Sequence, residues 1–360
     1  MLLEPESWDL VQCADALLAS AAGGAFESAL RSELMQSVLE VATPVCLTPA
    51  EVGGELRRLR GAVGELAAAR GYRFASAGTH PFALFERQQV SDEERYRAMV
   101  DEFEAVARQQ LIFGLHIHAA VDDPDKAIQV VDGLVVHLAE LLALSANSPF
   151  WRGAPTGLAS CRQMIFSALP RTGLPPHFRS YEEYAELVGE LEQSGCIPDY
   201  TRIWWDVRPH PRLGTVELRI CDAVTPLEDA VALAAYVQAL VKLLCEELES
   251  GRGPESYQRV LTTENKWLAA RYGLGASLID LARGHGARAP VRELVRRTLR
   301  SLEPHARELG CERELEGIDA ILARGNGADA QLRIWGESRD PRAVVRELAA
   351  ASEPGAGTRV

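Results

Sequence analysis

The chain has no surplus of positive charge, no apolar run long enough to cross a bilayer and no closely spaced cysteine pair. Each absence removes a class of function. Its 360 residues carry 38 Lys and Arg against 51 Asp and Glu, a formal net charge of −13. That balance excludes the clustered basic footprint of a nucleic-acid binder. No stretch reaches the roughly 18 consecutive apolar residues of a spanning helix, and the first residues lack the basic region, apolar core and cleavage site of an exported chain. The protein is therefore expected to be neither exported nor membrane-anchored. The seven cysteines are odd in number and widely spaced, without a Cys-x-x-Cys. Neither a disulfide framework nor a zinc site is indicated, and a reducing cytoplasm is the expected compartment. Also missing are G-x-x-x-x-G-K-[ST], G-x-G-x-x-G and a nucleophile elbow, so any nucleotide must be held by something other than a P-loop or a dinucleotide-binding turn.

What is present is an ordinary globular composition, 47% apolar and 25% charged, sufficient for a sizeable core. Periodicity predicts a helix over 8–30 interrupted at Gly23-Gly24, then a strand within 32–45 closing at Thr43-Pro44. An amphipathic helix over 49–70 comes after it, with Thr48 as N-cap and Pro49 at the first position. A short strand over 72–77, a helix over 94–111, a strand over 111–121 and a helix over 123–145 come next. The Gly-, Pro- and Arg-rich stretch 147–176 reads as a long loop with a helical piece at 158–169. After a helix over 181–193 and a hairpin over 203–222, helices dominate: 226–249, 255–272, 290–309 with a break at Pro304, and 312–323 before a polar tail. The class is α+β, an antiparallel sheet flanked by helices with a helical C-terminal part. We read 1–348 as a single domain, sheet-rich over 1–222 and helical over 223–348, with a disordered tail at 349–360.

The hairpin carries the most chemistry. Alternation puts Trp204, Asp206 and Arg208 on one face of its first strand, and Thr215, Glu217 and Arg219 on one face of its second. Burying such a face is expensive without partners, so it is either solvated or matched by bound charge. Glu217 is the better metal-ligand candidate and Arg208 and Arg219 the better anion clamps, since a guanidinium forks onto carboxylate or phosphate. The plain alternative is a cross-strand ion-pair ladder. Asp206 is read as orienting Arg208 or another arginine. Elsewhere, His116 and His118 share a strand face after Gly114, which permits close approach of another backbone; an isolated H-x-H is more often packed than ligating. Glu33 and Glu40 are oxygen donors of the kind Mg²⁺ prefers, but seven residues apart in one straight strand they face opposite sides, so a bulge or loop must intervene if both serve one site. Arg152, Arg162 and Arg171 add positive charge to the loop.

Taken in chain order, several segments resemble the bacterial carboxylate-amine ligases classed as glutamate-cysteine ligase type 2. They are 32–44 with Glu33 and Glu40, Gly114-Leu115-His116-Ile117-His118, 144–151 with Asn147, Thr156-Gly157-Leu158-Ala159-Ser160 with Arg162, and Thr215-Val216-Glu217-Leu218-Arg219-Ile220-Cys221-Asp222. Glu264-Asn265-Lys266-Trp267, Arg271-Tyr272-Gly273-Leu274 and Gly325-Asn326-Gly327-Ala328 extend the resemblance over nearly the whole chain. It implies a glutamine-synthetase-like fold, an open cup of antiparallel strands with ATP and Mg²⁺ at its floor. It also implies metal ligation by Glu33, Glu40, His116 and Glu217, ATP binding by His118 and Arg219, catalytic roles for Arg219 and Arg208, and substrate binding by Arg162, Arg152 and Asn147. The implied reaction phosphorylates the γ-carboxylate of glutamate and passes the acyl group to an amine such as cysteine. Small-molecule substrates and a homodimer are implied; no nucleic acid and no membrane are. Family members open with a Gly-x-Glu-Glu-Glu strand, and Met1-Leu2-Leu3-Glu4-Pro5 resembles the residues just after that strand. Glu4 and Glu6 do not take its place, so a ligase-like protein that holds glutamate or nucleotide without turnover is the alternative.

Overall fold

The computed structural model describes residues 1–253 and 258–354. Strand β1 (Leu2–Leu3) leads to helix α1 (Ala14–Ala21), the strands β2 (Leu30–Ser32) and β3 (Leu39–Val41), and helix α2 (Pro49–Ala68). The Thr48 hydroxyl caps α2 by accepting the Glu51 amide at 3.2 Å, and Pro49 occupies the first turn, where its missing N–H costs nothing. β4 (Arg73–Phe74) precedes α3 (Glu94–Phe103) and α4 (Ala105–Arg108), which Glu104 separates at φ 45°. Then come β5 (Gly114–Ala120), α5 (Pro124–Val135) capped by Asp123, α6 (Leu138–Ser145), β6 (Phe150–Trp151), β7 (Ala154–Pro155), α7 (Cys161–Phe166), β8 (Thr172–Gly173) and α8 (Tyr181–Gln193). β9 (Trp204–Trp205), β10 (Val207–His210) and β11 (Thr215–Asp222) lead into α9 (Leu227–Glu249). The remainder is α10 (Arg259–Tyr272), β12 (Ser277–Ile279), β13 (Arg288–Pro290), α11 (Val291–Leu309), α12 (Glu312–Leu315), α13 (Gly317–Arg324), α14 (Gly327–Ser338) and α15 (Pro341–Ser352).

The α+β class and the helical C-terminal part are as expected. Among the described residues the strands pair in small groups: a three-stranded antiparallel sheet in the order β10-β11-β5, with β1–β4, β2–β3, β6–β7, β8–β9 and β12–β13 as separate pairs. One face of the three-stranded sheet presents Val207, Val216, Leu218, Ile220 and Cys221 to apolar residues of α5, α6, α9, α10 and α11, which form the main core. The other face carries the ionisable residues. All seven cysteines are free, and no single described helix is long and apolar enough to cross a membrane.

Several local expectations change. The segment 32–45 is not one strand: Ser32 ends β2, residues 33–38 connect, and Leu39–Val41 return antiparallel as β3, with Arg31 opposite Glu40. The break expected at Pro304 does not occur, because Pro304 and Arg300, the residue whose carbonyl it frees, are both exposed while Leu299, Leu302 and Ala306 keep the buried stripe continuous. Two helices occupy what read as a polar tail. Asn326 and Asp329 form a reciprocal capping box that starts α14, and the Asp340 side chain caps α15 ahead of Pro341. Val344, Val345, Leu348, Ala349 and Ser352 are buried, so 349–352 is packed helix; residues 355–360 of the expected disordered tail lie outside the described residues. The same holds for 255–257 at the expected start of α10.

Candidate functional site

Strand register builds the site. Arg208 of β10 pairs with Glu217 of β11, which pairs with His118 of β5, so three ionisable side chains form a row across the sheet. Arg208 Nε donates to Glu217 Oε2 at 2.7 Å, and Arg219 Nη1 donates to Oε1 at 2.5 Å. The second oxygen also faces His116 Nδ1 at 3.7 Å and His118 Nε2 at 3.8 Å. Side-chain exposure rises along this row, from 4% at Glu217 and 12% at Arg219 to 33% at His118 and 38% at His116. A ligand therefore approaches from the β5 side.

The electrostatics follow from the packing. Burial opposes ionisation of Glu217, but the Arg219 and Arg208 guanidiniums outweigh it and hold the carboxyl far below its ordinary range. Enclosure and then the Arg219 charge push the His116 imidazole well below its usual value, and enclosure lowers His118 against the pull of Glu217. Both imidazoles are thus neutral near pH 7, and His118 Nδ1 lies 3.0 Å from the Thr215 hydroxyl. The row combines two guanidiniums, one carboxylate and two neutral rings on an open face. Its net charge of about +1 suits an anion.

A β-bulge shapes the far end of β11. Leu218 faces Ile117 while Cys221 faces Leu115, three residues against two. The extra residue re-phases the strand, so Leu218 and Cys221 both enter the core and Asp222 turns toward polar partners. Asp222 accepts from the Asn147 amide at 2.8 Å and from the Ser148 and Ser160 hydroxyls at 2.6 and 2.8 Å, with Arg162 Nη1 3.8 Å away. Burial raises the Asp222 carboxyl in spite of Arg162.

This hub accounts for two expected substrate ligands. Arg162 is 3% exposed and gives its two terminal nitrogens to the Ile220 and Arg219 carbonyls, 3.2 Å each, clamping the bulge. Gly114 is required beside it: a Cβ there would run into Arg162 Nη2. The close approach that Gly114 permits is thus by a guanidinium and not by a backbone. Asn147 is fully buried, donates to the Ala223 carbonyl and Thr225 hydroxyl, and accepts from Gln331 of α14. As folded, both residues hold the scaffold: the Asn147 side-chain amide is bonded at both ends, and Arg162 keeps only a buried Nε without a partner. Arg152 pairs with Glu86 at 2.8 Å and stacks on Phe85, and neither of these partners belongs to the sheet row. Arg171 likewise caps the Arg202 carbonyl at 3.1 Å.

Glu33 and Glu40 do meet. Because the chain doubles back, Glu33, which directly follows β2, comes beside Glu40 of β3, close enough for the two carboxyls to interact. Burial, and then the Glu40 charge, raise the Glu33 carboxyl to about 7. Two crowded carboxyls, one of which resists ionisation through burial and then through the charge of the other, are an oxygen donor pair that fits a divalent cation. Glu217 and His116 do not join them in one shell. Both oxygens of Glu217 are engaged by guanidiniums, and among the described residues no group of three or more His, Cys, Asp or Glu converges on a cation position. The four-residue metal set expected from sequence is therefore split between the hairpin and the sheet.

The Glu33 shift has a measurable consequence. A carboxyl whose folded value is raised favours the folded state at low pH, and the advantage disappears as pH rises through the folded value near 7. Glu33→Gln is therefore expected to raise the melting temperature at pH 8 and to change it little at pH 4. Thermal melts of both proteins across that range check this.

Sequence reading missed Lys266 as a site residue, although it stands in the Glu264-Asn265-Lys266-Trp267 segment. Its ammonium reaches Asp206 Oδ2 at 2.6 Å, in the interior beside the row. Asp206 thus pairs with a lysine of α10, not with the arginines it was expected to orient.

Comparison with known proteins bears on the fold and the family. The fold is shared with a glutamate–cysteine ligase of Francisella tularensis solved in complex with AMP, at TM-score 0.65 and 12% identity over 92% of this chain and 83% of that one. It is shared equally with a bifunctional glutathione synthetase of Pasteurella multocida, TM-score 0.65 and 14% identity, over 91% of this chain and 47% of that one. The fold is thus one found in a glutamate–cysteine ligase and in a glutathione synthetase. The chain belongs to the glutamate-cysteine ligase family 2, whose profile matches residues 1–347. A Rubrobacter xylanophilus protein named "Putative glutamate–cysteine ligase 2-1" is 45% identical over 326 residues, 91% of this chain and 86% of its own length. A Sorangium cellulosum protein named "Putative glutamate–cysteine ligase 2" is 44% identical over 325 residues, 90% of this chain and 86% of its own.

Proposed function

We propose that this chain is an ATP-dependent carboxylate–amine ligase, one catalytic unit over 1–348, that joins the γ-carboxylate of glutamate to an amine such as cysteine. The observation that carries the reading is the row Arg208–Glu217–His118 with Arg219 and His116, a buried carboxylate aiming guanidiniums at an open face in a chain of this family. A carboxylate oxygen of glutamate attacks the γ-phosphorus of ATP, the bond to the β-phosphate oxygen breaks, and ADP leaves. The amine nitrogen then attacks the acyl phosphate carbon, inorganic phosphate departs and the nitrogen loses its proton. Phosphoryl transfer of this kind needs positioning and charge neutralisation more than covalent help.

Arg219 supplies charge to the transferred phosphoryl group. Its Nη1 is anchored on Glu217, so the guanidinium meets the anion already oriented. Arg208, donating to Glu217 and to the Thr201 carbonyl at 3.0 Å, holds Glu217 in place and acts through it. Neutral His116 and His118 line the entrance, and His118 offers a hydrogen bond to phosphate without adding charge. Mg²⁺, where bound, would offset phosphate charge, and Glu33 and Glu40 are the carboxylates fitted to hold it. A cation at Glu217 would first have to displace Arg219 from Oε1.

ADP release on addition of ATP, Mg²⁺, glutamate and a panel of amines tests the reading. Arg219→Ala is expected to lower that rate about a hundredfold or more, the range for removing one oriented transition-state donor. Undiminished ATP turnover in Arg219→Ala would sink the proposal. ATP binding without ADP release from any amine would leave a binding protein instead.

A further inference from the structure

The chain contains three lysines, Lys126, Lys242 and Lys266, and of these Lys266 is the buried one. Its Nζ donates to Asp206 Oδ2 at 2.6 Å, with the two side chains 8% and 1% exposed. Asp206 stands where β9 gives way to β10. Its amide donates to the Gly173 carbonyl and its carbonyl accepts from the Arg219 amide, both at 2.8 Å. One step beyond the β10–β11 ladder, Asp206 therefore lies opposite Arg219, and two residues along its strand from Arg208 it shares the ionisable face. Directly opposed residues have Cβ atoms about 4.5–5.5 Å apart, well within the span of a guanidinium.

Asp206 and Arg219 nevertheless make no side-chain bond. Arg219 turns to Glu217 and leaves its Nε without a partner, while Asp206 turns to Lys266 and leaves Oδ1 without one. A donor and an acceptor of opposite charge on facing residues are kept apart in the protein interior, where their attraction is strong. Arg162 also feels the Asp206 charge, but both its terminal nitrogens are fixed on the Arg219 and Ile220 carbonyls and only its Nε is unpartnered, while Arg208 is held by Glu217 and by the Thr201 and Ile203 carbonyls. Arg219 has the freer guanidinium.

We infer that Lys266 is a positioning residue: by engaging and neutralising Asp206 it keeps that carboxylate from capturing Arg219, and so leaves the Arg219 guanidinium on Glu217, facing the incoming anion. The reaction this serves rests on the ligase reading; the orientation of Arg219 does not. Loss of the ammonium frees a buried carboxylate opposite Arg219, and the guanidinium swings onto it. Neutralising Asp206 as well removes the competitor, and an arginine at 266 replaces the ammonium.

Crystal structures and calorimetric ATP titrations of the parent chain, Lys266→Met, Lys266→Arg and the double variant Asp206→Asn/Lys266→Met test this, with thermal melts alongside. In Lys266→Met, Arg219 is expected to lie on Asp206 and ATP affinity to fall at least about tenfold, since a charge-assisted phosphate contact is lost. Lys266→Arg and the double variant are expected to return Arg219 to Glu217 and to recover ATP affinity. Should Lys266→Met not fold, Lys266→Gln, which removes the charge but still hydrogen-bonds, is measured in its place. Arg219 remaining on Glu217 in the single variant, or a double variant as weak for ATP as the single, overturns the inference. A parent chain inert toward every amine would instead remove the ligase reading, while the position of Arg219 still decides the role of Lys266.

Discussion

Glu217→Gln is expected to lose ATP-dependent turnover by roughly a hundredfold to a thousandfold and to melt several degrees below the parent chain. The two effects have one origin. Glu217 anchors Arg219 toward the open face and balances Arg208, which is 6% exposed and has no other acid within ion-pair distance among the described residues. Removing one partner of a buried pair leaves the other charge uncompensated, at a cost of about 3–5 kcal/mol. Arg208→Met added to Glu217→Gln is expected to restore much of the stability and none of the turnover, because a buried ion pair exchanges well for apolar volume whereas Arg219 still lacks its anchor. Chemical denaturation and ADP release, measured on both variants, separate the two roles. The pH dependence has a definite sign. A carboxyl held far below its unfolded value gives stability that is complete above about pH 4.3 and is lost as pH falls toward the folded value. Acid unfolding of the parent chain should include that loss, and the Glu217→Gln protein should not show it.

Asp222→Ala is expected to destabilise the chain by about 3–5 kcal/mol, through a different mechanism. The substitution strands the Asn147 amide, the Ser148 and Ser160 hydroxyls and the charge of Arg162, all buried. Asn147 in turn ties α14 to the sheet through Gln331, so loosening should extend to α14 and α15. Hydrogen exchange of α14 amides, compared with those of α11, checks the spread. Protection lost in both helices equally would mean that the hub acts globally and does not act through Asn147.

Much of the scaffold was legible because its signals are local. Thr48-Pro49 and Asp123-Pro124 start helices by short-range capping bonds and the fixed φ of proline, and each helix begins where these residues stand. The charged face of the 203–222 hairpin comes from alternation alone. Asn326/Asp329 and Asp340-Pro341 were signals of the same kind, outweighed in reading by the polar composition around them. Glu33 and Glu40 were harder. Whether two acids seven apart come together depends on where the chain turns, and doubling back between β2 and β3 reverses the answer that a straight strand gives.

The roles of Arg162, Asn147 and Lys266 lay further out of reach. Each is a polar residue in a family-like segment, and spacing does not distinguish a ligand contact from a scaffold bond. Arg162 is occupied because a one-residue bulge in β11 presents two carbonyls to it, and Lys266 is buried because α10 packs on α6 with the lysine side chain reaching Asp206. By itself the sequence determined the α+β class, the hairpin's ionisable face and the candidates Glu217, Arg219, His116 and His118. All of these rest on periodicity and near-neighbour chemistry. Only the tertiary structure decided which of those groups are already paired, because hydrogen-bond partners in a folded chain are set by strand register and helix packing across scores of residues, and sequence spacing does not record either.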